Sequence, residues 1–130
     1  MTSSPIKVGI PVSLTGQFQV QGRQVLVGLQ AWAKDVNADG GMRFGASQFR
    51  QVDLVHYDDA SNLKVVRAAT ERLIDHDKVD LLLGPYSSVL TLMAARVAES
   101  YGKLLWNQGG ASSRVYQRGH RYIVGILTPA

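Results

Sequence analysis

Apolar residues run almost unbroken through IKVGIPV (6–12) and then give way to a polar stretch, SLTGQFQVQG. A short apolar run of this kind reads as a buried first strand. From Gly22 the period changes. Val25, Leu29, Trp32 and Val36 recur on one face of a helix. Gly28 and Ala31 lie beside that face, and their small size predicts close approach to a sheet. NADGG (37–41) supplies the Asn and Gly residues that end helices. MRFGASQFR follows as a turn-rich connection with some extended structure.

In QVDLVHY (51–57), Val52, Leu54 and His56 alternate with Asp53, Val55 and Tyr57, the period-two pattern of a strand. DDASN is then a loop and cap, with Asp58 and Asp59 expected to cap the next helix. That helix is predicted over 63–76, with Val66, Ala69 and Leu73 on its inner face. VDLLLG (79–84) is apolar enough for a strand covered on both faces. The following helix, Ser88–Tyr101, is expected to pack through Val89, Met93, Val97 and Tyr101. KLLW (103–106) and RYIVGI (121–126) complete the strands. Strands alternating with helices predict a doubly wound, parallel α/β sheet with right-handed crossovers, flavodoxin- or Rossmann-like. Such sheets bind ligands at the carboxyl ends of their strands. The rim is therefore built from 13–22, 58–62, 85–88 and 107–113.

Composition narrows this picture. With 130 residues the chain fits one domain. The net charge of +4 comes from scattered residues, not a basic stripe, which argues against nucleic-acid binding. The absence of Cys removes thiol nucleophiles, Cys-ligated zinc and disulfides. No stretch reaches the roughly 20 apolar residues of a transmembrane helix.

The rim itself is rich in neutral donors. Ser87 and Ser88 open a helix, where a hydroxyl either caps the helix or joins its N–H groups in binding an anion. In GGASS, Gly109 and Gly110 permit unusual backbone angles, Ala111 leaves its N–H and carbonyl accessible, and Ser112 adds a hydroxyl. The alternative is a plain flexible turn. Together the two loops offer donors for a carboxylate and an acceptor for an ammonium. In the first loop Leu14 and Phe18 could form an apolar wall, with Gln17, Gln19 and Gln21 for neutral hydrogen bonding. Ten residues would be long for such a connection. Asp58–Asp59 could hold Mg2+, but the third acid and the Lys of a receiver-type site are missing. GPYSS lacks the second Gly of a nucleophile elbow, no phosphate loop is present, and His56, His76 and His120 lack metal-ligand spacing. The sequence calls for no catalytic residue, no metal and no cofactor.

IKVGIPVSLTG, GLQAWAKDVNADGG, VDLVHYDDAS, LLLGPYSS and WNQGGASSRVYQRG occur in this order. Together they resemble the type I solute-binding proteins of ABC transporters, in the branch that binds branched-chain amino acids and amides. The resemblance runs from Ile6 to Ile126. It implies a non-enzymatic receptor for a small amino acid, amide or related carboxylate, held between two lobes and delivered to the membrane subunits of an ABC importer. In that family the Ser after the third strand binds the ligand carboxylate, a role the resemblance assigns here to Ser88, with Ser87 adjacent. The resemblance likewise implies that Gly110, Ala111 and Ser112 take the α-carboxylate and α-ammonium. Where some members place an aromatic residue before the first helix's Gly, this chain has Gln21, so Phe18 or Trp106 supplies the wall instead, or Trp106 is core. The resemblance also implies that 1–130 is the first segment of the N-terminal lobe, cut near a hinge at LTPA, with the second lobe absent. Such a segment is expected to bind ligand weakly and to self-associate through uncovered apolar surface. It implies a periplasmic location, although the start MTSSPIK carries no signal peptide. A ligand-sensing domain of a signalling receptor and a cytosolic amide sensor stay open. A stand-alone flavodoxin-like enzyme would need catalytic groups that the rim lacks.

Overall fold

The computed structural model describes residues 4–130. In chain order the elements are β1 (Ile6–Val12), α1 (Gln19–Ala38), β2 (Met42–Phe44), β3 (Gln48–Arg50), β4 (Val52–Asp58), α2 (Leu63–Glu71), β5 (Leu81–Leu83), α3 (Ser88–Tyr101), β6 (Leu105–Asn107) and β7 (Ile123–Gly125). β1 pairs in parallel with β4 from Ile6–Val52 to Val12–Asp58, and with β5 on its other edge. β6 and β7 extend the same parallel sheet, in the order β4-β1-β5-β6-β7. The predicted doubly wound sheet is present.

Alternation along the strands divides the core in two. Ile6, Val8, Val52, Leu54, Leu81 and Leu83 meet Ala33 and Val36 of α1. On the opposite face Val55, Tyr57, Leu82, Leu105 and Ile123 meet Leu73, Ala94 and Ala98, below α2 and α3. The chain steps from β1 to β4 through α1, then returns past β1 to β5 through α2. The winding reverses between β1 and β5, and their carboxyl ends open a crevice there.

Several elements differ from the sequence pattern. α1 begins at Gln19, so the first rim loop is shorter than predicted. A Cβ added at Gly28 would meet nothing within 4 Å; close approach occurs at Gly22, whose added Cβ would lie 1.9 Å from the Ser13 carbonyl oxygen. The 63–76 helix keeps its extent, but its last turn, Arg72–His76, widens to a π-helix. MRFGASQFR folds into the β2–β3 hairpin. On α3 only Val97 of the predicted inner face is fully buried. Leu90, Thr91, Ala94, Ala95 and Ala98 are buried together with Val97, whereas Val89 is 58% and Tyr101 48% exposed. Small alanines let the helix lie close to the sheet, and its larger Val89 and Tyr101 turn outward.

The Asp pair does not cap α2. Asn62 does, its Oδ1 accepting the N–H groups of Lys64 at 2.9 Å and Val65 at 3.1 Å. Asp58 and Asp59 instead lock the first two rim loops together. Asp58 Oδ1 accepts the N–H groups of Leu14 (2.9 Å), Thr15 (3.3 Å) and Ala60 (2.8 Å), and Oδ2 accepts the Thr15 hydroxyl at 2.7 Å. Asp59 is fully buried, and its Oδ1 accepts the Ser13 hydroxyl at 2.6 Å and the Ser61 N–H at 2.8 Å. The Ser61 hydroxyl donates to the Thr15 carbonyl at 2.8 Å and accepts the Phe18 N–H at 3.1 Å. Burial pushes the Asp58 carboxyl up, but the Thr15 hydroxyl and the N–H groups of Ala60, Leu14 and Thr15 outweigh it and hold the group below its ordinary value. Burial raises Asp59, helped by the Asp58 charge and opposed by the Ser13 hydroxyl and the Ser61 N–H.

The α3 packing predicts that Leu90→Ala costs about 2–5 kcal/mol in urea unfolding, whereas Val89→Ala changes stability by less than about 0.5 kcal/mol. The two carboxylates predict opposite pH behaviour. The stability supplied by Asp58 is present above the unfolded carboxyl value of about 4 and is lost as pH falls through its lower folded value. Asp59 binds its proton more tightly when folded, so its contribution declines as pH rises from about 4 through its raised folded value. Urea midpoints of Asp58→Asn and Asp59→Asn, compared with the unsubstituted chain between acid and neutral pH, should therefore diverge in opposite directions.

Candidate functional site

The crevice between β1 and β5 is lined by backbone more than by charged side chains. Gly84 and Pro85 leave β5 buried, and the chain then turns sharply at Ser87, which has φ +81° without being glycine. Several bonds hold that turn. Ser87 Oγ accepts the Leu90 N–H at 3.2 Å, its carbonyl accepts the Thr91 N–H at 3.1 Å and the Thr91 hydroxyl at 2.6 Å, and its own N–H donates to the Gly109 carbonyl at 3.2 Å. Ser87 is thus the N-cap of α3. Ser88 is left for other work. Its hydroxyl accepts the Ser112 N–H at 2.9 Å, which joins the two serine-bearing loops. No acceptor among the described residues takes the N–H of Ser88 or Val89. A helix start leaves such donors orphaned and carries partial positive charge.

The loop after β6 is organised by Asn107. This fully buried side chain donates to the Gly110 carbonyl at 2.8 Å and to the Tyr116 hydroxyl at 2.9 Å, and its Oδ1 accepts the Gly110 N–H at 2.8 Å. Both backbone groups of Gly110 are therefore engaged. The residue serves close packing, since a Cβ there would lie 2.8 Å from the Thr91 hydroxyl oxygen. The Ala111 carbonyl, expected to be open, accepts the Ala130 N–H at 2.6 Å, because the chain beyond β7 returns to this rim. Ser112 Oγ accepts the Arg114 N–H at 3.3 Å and caps a single 3-10 turn, Ser113–Tyr116.

The aromatic candidates separate. Phe18 stands at the start of α1, edge-on to Tyr86 with ring centroids 5.6 Å apart, so this pair joins the loops of β1 and β5. Trp106 lies away from that pair. With Val8, Leu29, Leu81 and Leu83 it lines an apolar groove of about 620 Å³ between α1 and the sheet. Gln21, in the first turn of α1, is half-buried, and its Oε1 is enclosed without a partner among the described residues. The sequence reading missed Tyr86, Thr91 and Asn107. Tyr86 was detectable as the aromatic inside GPYSS; the other two act through contacts that no local pattern announces.

No His or carboxylate among the described residues hydrogen-bonds to the Ser87, Ser88 or Ser112 hydroxyl, and no three acidic or His side chains converge. A serine without a base is a poor nucleophile. The arrangement can hold an anionic group against the N–H donors of Ser88 and Val89, beside the Phe18–Tyr86 edge.

Residues 5–126 match the family described as periplasmic binding protein. The chain is 30% identical over 114 residues to an amino acid binding protein of Pseudomonas aeruginosa, covering 88% of this chain and 29% of that one. It is 29% identical to the leucine-specific-binding protein of Salmonella typhimurium, over 92% of this chain and 31% of the relative. Its fold superposes with a TM-score of 0.86 on a branched-chain amino acid transporter substrate binding protein from Streptococcus pneumoniae in complex with isoleucine, at 23% identity, over 96% of this chain and 34% of that one. A solute binding protein of an ABC transporter from Rhodopseudomonas palustris, in complex with 3,4-dihydroxy benzoic acid, gives a TM-score of 0.81 at 23% identity, over 97% of this chain and 32% of that one. The chain thus spans about a third of the length of these relatives. With its sheet order, its crevice and a family match over nearly its whole length in agreement, the chain belongs to the periplasmic binding protein family.

Proposed function

We propose that this chain is the first segment of the N-terminal lobe of a periplasmic solute receptor that serves an ABC importer, and that its rim forms one wall of the cleft that takes a small carboxylate, foremost an amino acid. The observation that carries this reading is the start of α3, where the Ser88 and Val89 N–H groups are open beside a hydroxyl fixed by the Ser112 N–H. A carboxylate is suited to these donors and to the helix dipole. Isoleucine and 3,4-dihydroxy benzoic acid, the ligands in two of the similar structures, share a carboxylate and little else. That supports a lobe that reads the carboxylate, with the side chain selected elsewhere.

In this reading Ser88 receives the carboxylate, and Ala111 and Ser112 complete the polar wall with the Ala111 N–H and the Ser112 hydroxyl. Ser87 and Gly110 hold the geometry. Phe18, paired with Tyr86, forms the apolar side, whereas the enclosed Oε1 of Gln21 takes no ligand contact. Trp106 supports the wall only from the groove behind it. A second lobe, carried by the remaining length of such a receptor, closes over the ligand and excludes water.

A single wall supplies only a few solvent-exposed hydrogen bonds, each worth about 1 kcal/mol net. The expected outcome of an NMR titration of the chain with leucine is binding no tighter than millimolar, with the largest amide shifts at Ser88, Val89 and Ser112. Ser88→Ala removes the hydroxyl but leaves both N–H donors, so it should weaken binding by about one hydrogen bond, roughly 1 kcal/mol, while leaving the fold intact. Micromolar affinity for the chain alone, or shifts confined to other residues, would contradict the proposal.

A further inference from the structure

The outward stripe of α3 is not explained by the cleft. Val89, Leu92 and Met93 lie on the side of the helix away from its alanine-rich core face, Val89 exposed and the other two half-buried, and Leu63 at the start of α2 lines the same groove. Val89 is 58% and Leu63 43% exposed. Between them lies a groove of about 420 Å³ whose remaining wall is Arg96, Arg118 and His120. No carboxylate lines it. Neither guanidinium is paired with an acid among the described residues, and His120 Nε2 is enclosed without a hydrogen-bond partner. Large apolar side chains on the solvent side of a helix, rimmed by unpaired cations, describe a surface meant to be covered.

We propose that this groove docks an acidic, amphipathic segment of a partner protein, with an aliphatic or aromatic side chain seated on Val89, Leu92, Met93 and Leu63 and flanking carboxylates on Arg96 and Arg118. Charge complementarity selects the partner's sign, and guanidinium groups suit carboxylates better than any other side-chain cation does. The concave shape selects a protein segment over a membrane. A lipid surface is engaged by protruding apolar residues, whereas a groove of this size accepts one or two side chains. The site is independent of the cleft reading, because it uses no donor of the rim. It adjoins it, however: Val89 follows Ser88 directly, so a seated partner would lie one residue from the proposed ligand contact.

The test uses the 130-residue chain and three helical peptides with identical apolar positions, whose flanking positions are all Glu, all Gln or all Lys. Fluorescence anisotropy should show the Glu peptide binding at least tenfold tighter than the Lys peptide, with the preference falling as salt rises. The double variant Arg96→Glu, Arg118→Glu should reverse the order, and Val89→Asp should weaken all three. Both surface changes should leave the circular dichroism spectrum unchanged, and Ser88→Ala should leave peptide binding unaltered. Equal binding of the three peptides, no binding of any, or binding to phosphatidylglycerol vesicles in place of the Glu peptide would overturn the proposal.

Discussion

β1 is paired on both edges, and the rest of the domain follows from that constraint. Its seven positions match β4 in strict register, while β5 takes the other side. Two parallel partners cannot both be reached by a tight turn; each needs a crossover. Because the crossovers leave in opposite directions, α1 falls on one face and α2 with α3 on the other. The loops at the carboxyl ends of β1 and β5 then part, and the crevice between them is a consequence of the winding.

A crevice between loops needs rigid walls, and here polar side chains supply them. Asp58 and Asp59 fasten the loop of β1 to the loop of β4, and Asn107 fastens the loop of β6 to itself. Ser87, held at positive φ, links the β5 loop to Gly109. Most polar side chains near the rim are thereby spent on other parts of the protein. What remains unspent is a small set of N–H groups at the start of α3, and the proposed anion site rests on these donors. Holding the donors in place before a ligand arrives limits the ordering cost of binding.

The strands were legible because β1 is a near-continuous apolar run, buried at six of its seven positions, and β4 alternates in sequence. The serine-bearing rim was legible because the topology sends GPYSS and NQGGASS to one edge. Three features were not. Val89 and Tyr101 looked like core because they share a helical period with Met93 and Val97, whereas close packing favoured Ala94 and Ala98. Asp58 and Asp59 looked like caps because acids before a helix usually are, but besides the neighbouring N–H groups of Ala60 and Ser61 they hold Ser13, Leu14 and Thr15, more than forty residues earlier in the chain. Gly28 looked like the contact glycine, but the chain crosses itself at Gly22, against Ser13. Each error concerns a tertiary contact, which no local period records. The misread stripe of α3 is also the surface that carries the docking inference.

The central claim is that the start of α3 is an anion site in a solute cleft. A crystal structure of the chain with leucine at saturating concentration tests it most directly. The account predicts the leucine carboxylate within hydrogen-bonding distance of the Ser88 and Val89 N–H groups, beside the Phe18–Tyr86 edge. A carboxylate bound elsewhere, with only water at those two donors, would contradict it.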